Sequence, residues 1–349
     1  MHVSGIPFLG VQAMRASLNI STPTPLNARA VFGSHFAKDE QILGWTAVEA
    51  QDDPRCAYLP RLNPDYAFRK ESLRSLTSFL TNPQGDAMFI AGPTGSGKTS
   101  LVLQVAARLN WHVREVACNE RLEFADLVGS YVLSSDPQRP DQAPVMKFRY
   151  GMLPSAMKHG DILLLNEVDM ADPGQMSALN TVLEGGALEI RETGEVIMPH
   201  PMFRIICTGN SVGQGDASGR YQGVLAQNLA TMDRYRCIVI DYPEAKIEED
   251  ILGKIGIPPE VIEPMLSVVK TVRTEFLAGH LSVTFSTRTL IRWARLICER
   301  SSWKSENSPI SHALEETLLN RVGDVDEKVA IKKQVEIAFP EGTPLKYLQ

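Results

Sequence analysis

The chain has 349 residues, 44% of them hydrophobic and 22% charged, with a formal net charge of −6 and a pI near 5.7. That size affords a sizeable core in about two domains, and the acidic balance argues against a global basic footprint for nucleic acid. Five cysteines scattered singly, with no C-x-x-C and no Cys/His cluster, argue against a zinc site or a disulfide framework and suit a reducing cytoplasm.

In chain order, residues 1–60 differ from the rest, with Pro, Ser, Thr and Asn in "NISTPTPLNA". They read as an arm with little core of its own, docking on a neighbour. The first segment, "MHVSGIPFLGVQAMRASLN", lacks the basic and apolar regions of a signal peptide. No apolar run is long enough to cross a membrane. From about residue 66 the pattern alternates. "RKESLRSLTSFL" has helical apolar spacing, "AMFIAG" is a short buried strand, "KTSLVLQVAARLN" is a helix and "HVREVAC" a second strand. "ILLLNEVD" is a third strand, apolar up to its polar end, followed by a helix over "MSALNTVLEGG". "FRIICTGNS" and "CIVIDYP" supply a fourth and a fifth strand. Strands alternating with helices predict an α/β domain over 61–243, a parallel five-stranded sheet with helices on both faces. Two segments interrupt it: an insertion at 128–153, and a hairpin at 187–201 around a Thr-Gly turn. After Pro243 the chain turns helical over "EEDILGKIG", "PPEVIEPMLSVVKTVRTEFLAG", "STRTLIRWARLICERS" and "HALEETLLNRVG", so 244–349 reads as a smaller all-helical lid domain.

"GPTGSGKT", Gly92 to Thr99, fits G-x-x-x-x-G-K-[ST] between a strand and a helix. Gly92, Pro93, Thr94, Gly95, Ser96, Gly97, Lys98, Thr99 and Ser100 are therefore the candidate binders of ATP. The glycines let backbone N–H groups face phosphate oxygens, and the helix N-terminus adds its positive dipole end. Lys98 is expected to reach the β- and γ-phosphates and Thr99 to ligate Mg²⁺.

The third strand ends in Asn166-Glu167. Glu167 is the candidate base that polarises an attacking water. Asn166, at a metal-holding position, offers a carbonyl oxygen but no negative charge, so weaker Mg²⁺ binding is expected. Asp169, two residues beyond Glu167, is a candidate to compensate. Asn210 ends the fourth strand, where an amide orients water; the plainer reading is an Asn in a turn. Arg234 precedes the fifth strand, with Arg236 next along it. Arg234 reads either as an arginine finger toward a neighbouring subunit or as a surface residue paired with Asp233. Arg288 lies in the first turn of a lid helix capped by Ser286 or Thr287, a position the dipole disfavours, so a nucleotide contact is the attractive reading. Trp293 and Leu290 read as core, His200 as a hairpin-end residue, and "MKFRYG" (146–151) as an insertion rim or a pore or partner contact.

These parts in this order resemble an AAA+ ATPase of the MoxR-like branch, and most of all the family of the small ATPase subunit of cobaltochelatase. The resemblance rests on "NARAVFG" (27–33), "LNPDYAF" (62–68), "QVAARLNW" (104–111), "DLVGSYVL" (126–133), "YGMLPSAMKHG" (150–160), "PHPMFRIICTGNSVGQGDASGRYQG" (199–223) and "MDRYR" (232–236). It implies a ring, expected to be a hexamer, with ATP at subunit interfaces and a partner carrying a von Willebrand A-type domain. It assigns Lys98, Thr99 and Glu167 to the Walker motifs, Asn210 to sensor 1, Arg234 to the finger and Arg288 to sensor 2. This chain departs from the family at Asn166, where an Asp is usual. Three functions remain open: a ring ATPase that remodels a partner complex, a nucleotide-set scaffold with little turnover, and a nucleic-acid motor.

Overall fold

In the computed structural model, described for residues 22–46, 54–135, 143–215, 223–300 and 308–339, the apolar alternation decides which strands go to the centre. Strands β1 (Pro23–Asn27) and β2 (Gln41–Trp45) pair antiparallel around helix α1 (Ala28–Phe32), ahead of helix α2 (Lys70–Thr81). Then follow strand β3 (Ala87–Ala91), helix α3 (Lys98–Arg108), strand β4 (Val113–Ala117), helix α4 (Phe124–Val128), strands β5 (Gly129–Ser134) and β6 (Val145–Tyr150), helix α5 (Met152–His159) and strand β7 (Ile162–Asn166). Helices α6 (Pro173–Ser177) and α7 (Asn180–Leu183), strands β8 (Leu188–Ile190), β9 (Glu195–Ile197) and β10 (Arg204–Gly209), helix α8 (Leu229–Met232) and strand β11 (Tyr235–Val239) complete the first domain.

Strands β3, β4, β7, β10 and β11 form the expected five-stranded parallel sheet, in the order β11-β3-β10-β7-β4. Alternate residues of each inner strand go to opposite faces. Met88, Ile90, Ile162, Leu164 and Ile206 pack on one side with α2 and α3. Phe89, Leu163, Leu165, Ile205 and Cys207 pack on the other with α5 and the α6–α7 segment. The insertion at 128–153 is mostly a two-stranded hairpin, β5 with β6, although 136–142 lie outside the described residues. The 187–201 hairpin forms as expected, β8 with β9.

In its described part the arm has no core separate from that of the domain that follows. Ala28, Phe32, Phe36, Ile42 and Trp45 are buried in the same core as Leu73 and Trp111, and the Trp45 amide donates to the Leu109 carbonyl at 2.8 Å. These five residues come from α1, β2 and the segment between them, within a stretch of polar composition. Residues 1–21 and 47–53 of that arm lie outside the described residues. One expectation needs correction: the helix over 176–186 is split, because the amides of Ala178 and Leu179 bond to carbonyls three residues back and Ser177 returns to the Pro173 carbonyl at 2.8 Å.

The C-terminal domain is helical, as expected. It consists of α9 (Ala245–Ile255), α10 (Pro259–Ala278), α11 (Thr287–Arg300), α12 (Pro309–Thr317) and α13 (Val325–Ala338), around Trp293, Phe285 and Leu290. Helix α13 was not expected. It buries only Ile331 and Val335, so its apolar stripe is too thin to read in sequence. No helix among the described residues is long and apolar enough to cross a membrane.

His200 sits where the β8–β9 hairpin returns to the sheet and stacks on Trp45 with ring centroids 5.7 Å apart. Its Nδ1 accepts from the Met202 amide at 3.0 Å, so the neutral tautomer fits. Burial, with Arg55 and Arg204 nearby, lowers its pKa to about 4. A depressed histidine favours folding above its unfolded value and loses that contribution as pH falls from about 6.5 toward 4. Urea unfolding between pH 7 and 4.5 should therefore fall more steeply for the wild type than for His200→Gln, by up to about 1.4 kcal/mol per pH unit.

Candidate nucleotide site

Parallel strands deliver their C-terminal ends to one edge, and ligands bind there. The loop after β3 turns tightly at glycines that nothing else can replace. A Cβ on Gly92 (φ +152°) would come within 1.9 Å of the Ile240 carbonyl oxygen, and one on Gly95 (φ +74°) within 2.4 Å of the Ser286 Cβ. Gly97, also left-handed, leads into α3. Thr94 and Ser100 are exposed while Ser96 is buried.

Lys98 is 8% exposed, and its Nζ donates to the carbonyls of Gly92 (2.6 Å) and Pro93 (3.1 Å) and to Asn210 Oδ1 (3.1 Å). Thr94 Oγ1 also donates to Asn210 Oδ1, at 3.3 Å. The end of β10 is thus joined to the loop: Asn210 lies in the turn that leaves the strand, with its side-chain oxygen on Lys98 and Thr94. Burial lowers the Lys98 pKa to about 8, against the pull of Asp169 and Glu167; Arg288 lowers it further. Arg288 is exposed at the start of α11 and its charge reaches Lys98 across the lid. Ser286 is the cap: its Oγ accepts from the Thr289 amide at 3.1 Å.

Asn166 ends β7 with its Oδ1 accepting from Thr99 (2.8 Å) and Thr208 (3.2 Å), and its Nδ2 donating to Glu115 (3.2 Å). Glu167, the next residue, is left-handed at φ 58°, ψ 44°. Such a conformation is strained for a non-glycine residue and recurs at functional sites. It turns the chain out of the strand and leaves Glu167 exposed. Asp169 does not take over for Asn166. It is fully buried and accepts from the amides of Asn210 (2.6 Å) and Ser211 (3.0 Å), so it clamps the β10 turn.

Arg234 lies at the other end of the sheet. Its carbonyl accepts from Ala87 at the start of β3, while Lys98 follows the end of β3. Five residues of strand separate the two ends, about 16 Å at ~3.3 Å per residue. The Arg234 guanidinium is half-buried, with Nη1 on the Ala230 carbonyl and Nε 2.8 Å from Glu184, so its partner is Glu184 and not Asp233. Arg236 pairs with Asp86 at 3.4 Å and lies over Phe79.

Several contributors escaped the sequence reading. Arg69 binds the Ser96 carbonyl at 2.9 Å and also the Asp241 carbonyl. Tyr242 donates to the Thr94 carbonyl at 3.1 Å, and Arg273 lies 4.1 Å over its ring. Arg273 in turn makes a two-pronged bond to the buried Glu248 at 2.9 and 2.7 Å, and Glu248 accepts from Thr287 at 2.8 Å. A cleft of about 330 Å³ opens here, lined by Gly92, Asn210, Tyr242, Arg273 and Thr284. Only the Tyr and Asp closing strand five carried a positional signal; Arg69 and Arg273 look like ordinary helix-face arginines.

The residues fit a Mg²⁺-nucleotide. The donors near the loop are oxygens from Thr99 and Asn166, the type Mg²⁺ takes, and the loop's glycines bring backbone close where a Cβ would clash. Among the described residues no cluster of three or more His, Cys, Asp or Glu could hold a metal by itself.

A family model described as an AAA domain of the dynein-related subfamily matches residues 87–221, and one described as the CbbQ/NirQ/NorQ C-terminal region matches residues 248–337. The aerobic cobaltochelatase subunit CobS of Sinorhizobium sp. is 33% identical over 329 residues, covering 90% of this chain and 91% of that one. An uncharacterised protein of Staphylococcus haemolyticus is 30% identical over 256 residues, covering 72% of this chain and 90% of its own. Midasin of Dictyostelium discoideum is 29% identical over 276 residues, which are 76% of this chain and 4% of midasin, so that likeness concerns one module of a far longer protein.

The clamp can be tested directly. Asp169→Asn removes the charge that two backbone amides share, and hydrogen bonds to a buried charge contribute about 1.5–3 kcal/mol. Chemical denaturation should show a loss of that order, accompanied by weaker nucleotide binding as the Asn210 turn loosens.

Proposed function

This chain belongs to the AAA+ ATPases of the MoxR-like branch, and on that premise we propose that it is a Mg-ATP-dependent ring ATPase that remodels or activates a partner complex. The observation carrying the proposal is the convergence at one sheet edge of Lys98, Asn210 and the Thr99–Asn166 pair, with Glu167 exposed beside them.

In this reading the Gly92–Thr99 loop and Lys98 hold the phosphates of ATP, and Thr99 with the Asn166 carbonyl oxygen holds Mg²⁺. The ion, when bound, neutralises charge on the phosphate oxygens. Glu167 accepts the proton of the attacking water, and Asn210 orients that water. Arg288 brings lid charge to the phosphates. Arg234 faces away from its own loop, so it serves a neighbouring copy, and that requirement supports a closed ring of identical contacts, six in number after the family. The overall likeness to a cobaltochelatase subunit supports a partner protein with a von Willebrand A-type domain and a cytoplasmic setting.

A second reading has its own observation. Asn166 lacks the carboxylate, so the protein could be a nucleotide-set ring scaffold with little turnover. Steady-state hydrolysis across protein concentration separates the two. The motor predicts turnover that rises with concentration and falls at least about a hundredfold in Glu167→Gln, the lower bound for removing a general base. A wild type without turnover that gains it in Asn166→Asp would establish the scaffold.

Arg234→Ala is expected to bind ATP normally and lose about a thousandfold in turnover. Glu184→Gln breaks the same ion pair and is expected to keep most of the activity; equal losses in both would assign Arg234 a purely structural role.

A further inference from the structure

We propose that Glu115 is a positioning residue for the metal corner and supplies, from the adjacent strand, the negative charge that Asn166 lacks. The inference rests on the Mg-ATP reading above. Its basis is register. In the parallel pair of β4 with β7, Glu115 stands opposite Leu164 and Ala117 opposite Asn166. Paired residues in a parallel ladder share a face, and so do residues two apart. Leu164 belongs to the core shared with α3, the helix that begins at Lys98–Thr99. Glu115 and Asn166 therefore project on the side where Thr99 sits.

The contact that results has a fixed sense. A carboxylate only accepts hydrogen bonds, so the amide of Asn166 must turn its NH₂ toward Glu115, at 3.2 Å. That leaves Oδ1 for Thr99 at 2.8 Å and Thr208 at 3.2 Å. Without Glu115 the amide could flip and present its donors to Thr99, which is the wrong polarity beside a cation. Glu115 thus sets which end of Asn166 faces the metal position.

The charge is also uncommitted. Among the described residues no cation lies within ion-pairing distance of Glu115; its partner is a neutral amide. An Asp at position 166 would put a second carboxylate about 3 Å from the first, an arrangement that disfavours ionisation of both. Asn beside Glu carries one negative charge, as an Asp beside a neutral residue would. The charge at this corner is displaced by one strand and not lost.

Carboxylates that hold a metal's ligands typically matter 10–100-fold for affinity. The test is a Mg²⁺ titration of the full chain with a fluorescent ATP analogue, read as analogue binding and not as turnover. The wild type must bind the analogue more tightly with Mg²⁺ than in EDTA; if it does not, the Mg-ATP reading fails before this proposal is reached. Given that dependence, Glu115→Gln should raise the half-saturating Mg²⁺ concentration roughly tenfold while leaving binding in EDTA unchanged. The double substitution Glu115→Gln with Asn166→Asp moves the charge back across the strand and should return that concentration to within about threefold of the wild type. A Glu115→Gln protein with wild-type Mg²⁺ dependence, or a double variant as weak as Glu115→Gln alone, would overturn the proposal. Glu115 is exposed, so both proteins are expected to fold, and their unfolding curves check it.

Discussion

The buried carboxylate of Asp169 is the constraint on which the site depends. Strands β7 and β10 lie side by side, and both must leave the sheet at its nucleotide edge without separating. Asp169 holds them by accepting two amides from the β10 turn, while its own carbonyl accepts from Leu225 at 2.7 Å. To bring that side chain under the turn, the chain must reverse within three residues of Asn166. Glu167 bears the strained left-handed conformation that makes this possible. The exposure of Glu167 and the aim of Asn210 at Lys98 are therefore two results of one clamp.

The lid is tied to the same edge by a separate chain of contacts. Glu248 and Arg273 form a buried ion pair inside the helical domain, Arg273 covers Tyr242, and Tyr242 holds the Thr94 carbonyl. A buried pair of this kind adds little net stability after desolvation, but it fixes geometry because breaking either half leaves an unpaired charge. Ser286, which caps α11, occupies the space over Gly95 that a side chain would need. Arg288 follows two residues later, exposed at the start of α11.

Much of this was legible in the sequence, for physical reasons that differ by element. The loop Gly92–Thr99 and the sheet strands were readable because a phosphate cradle and a doubly covered strand each demand particular residue types in a row. The hairpin at 187–201 was readable because its turn has a composition of its own. The clamp was not. Asp169 was noticed for its charge and assigned toward the metal, whereas its burial and its amide partners arise only when β10 is placed beside β7. Glu115 was invisible for the same reason, since nothing local distinguishes one exposed Glu on an edge strand. The arm's part in the core was hidden because Phe32 meets Phe68, and Trp45 meets Leu109 and His200, all distant in sequence. The partner of Arg234 likewise came from Glu184, fifty positions upstream, and not from its neighbour in sequence.

If Arg234 serves a neighbouring copy, as proposed, its separation from Lys98 by the full length of β3 has a genetic consequence. A single copy holds two half-sets of charge that never meet within it. Damage to either half would then be complemented by a copy damaged in the other, and two individually silent alleles would restore function when expressed together. On the same reading, a copy with an intact loop and no Arg234 would still bind nucleotide while withholding that charge from its neighbour, whereas a folding-defective copy would stay out of the assembly.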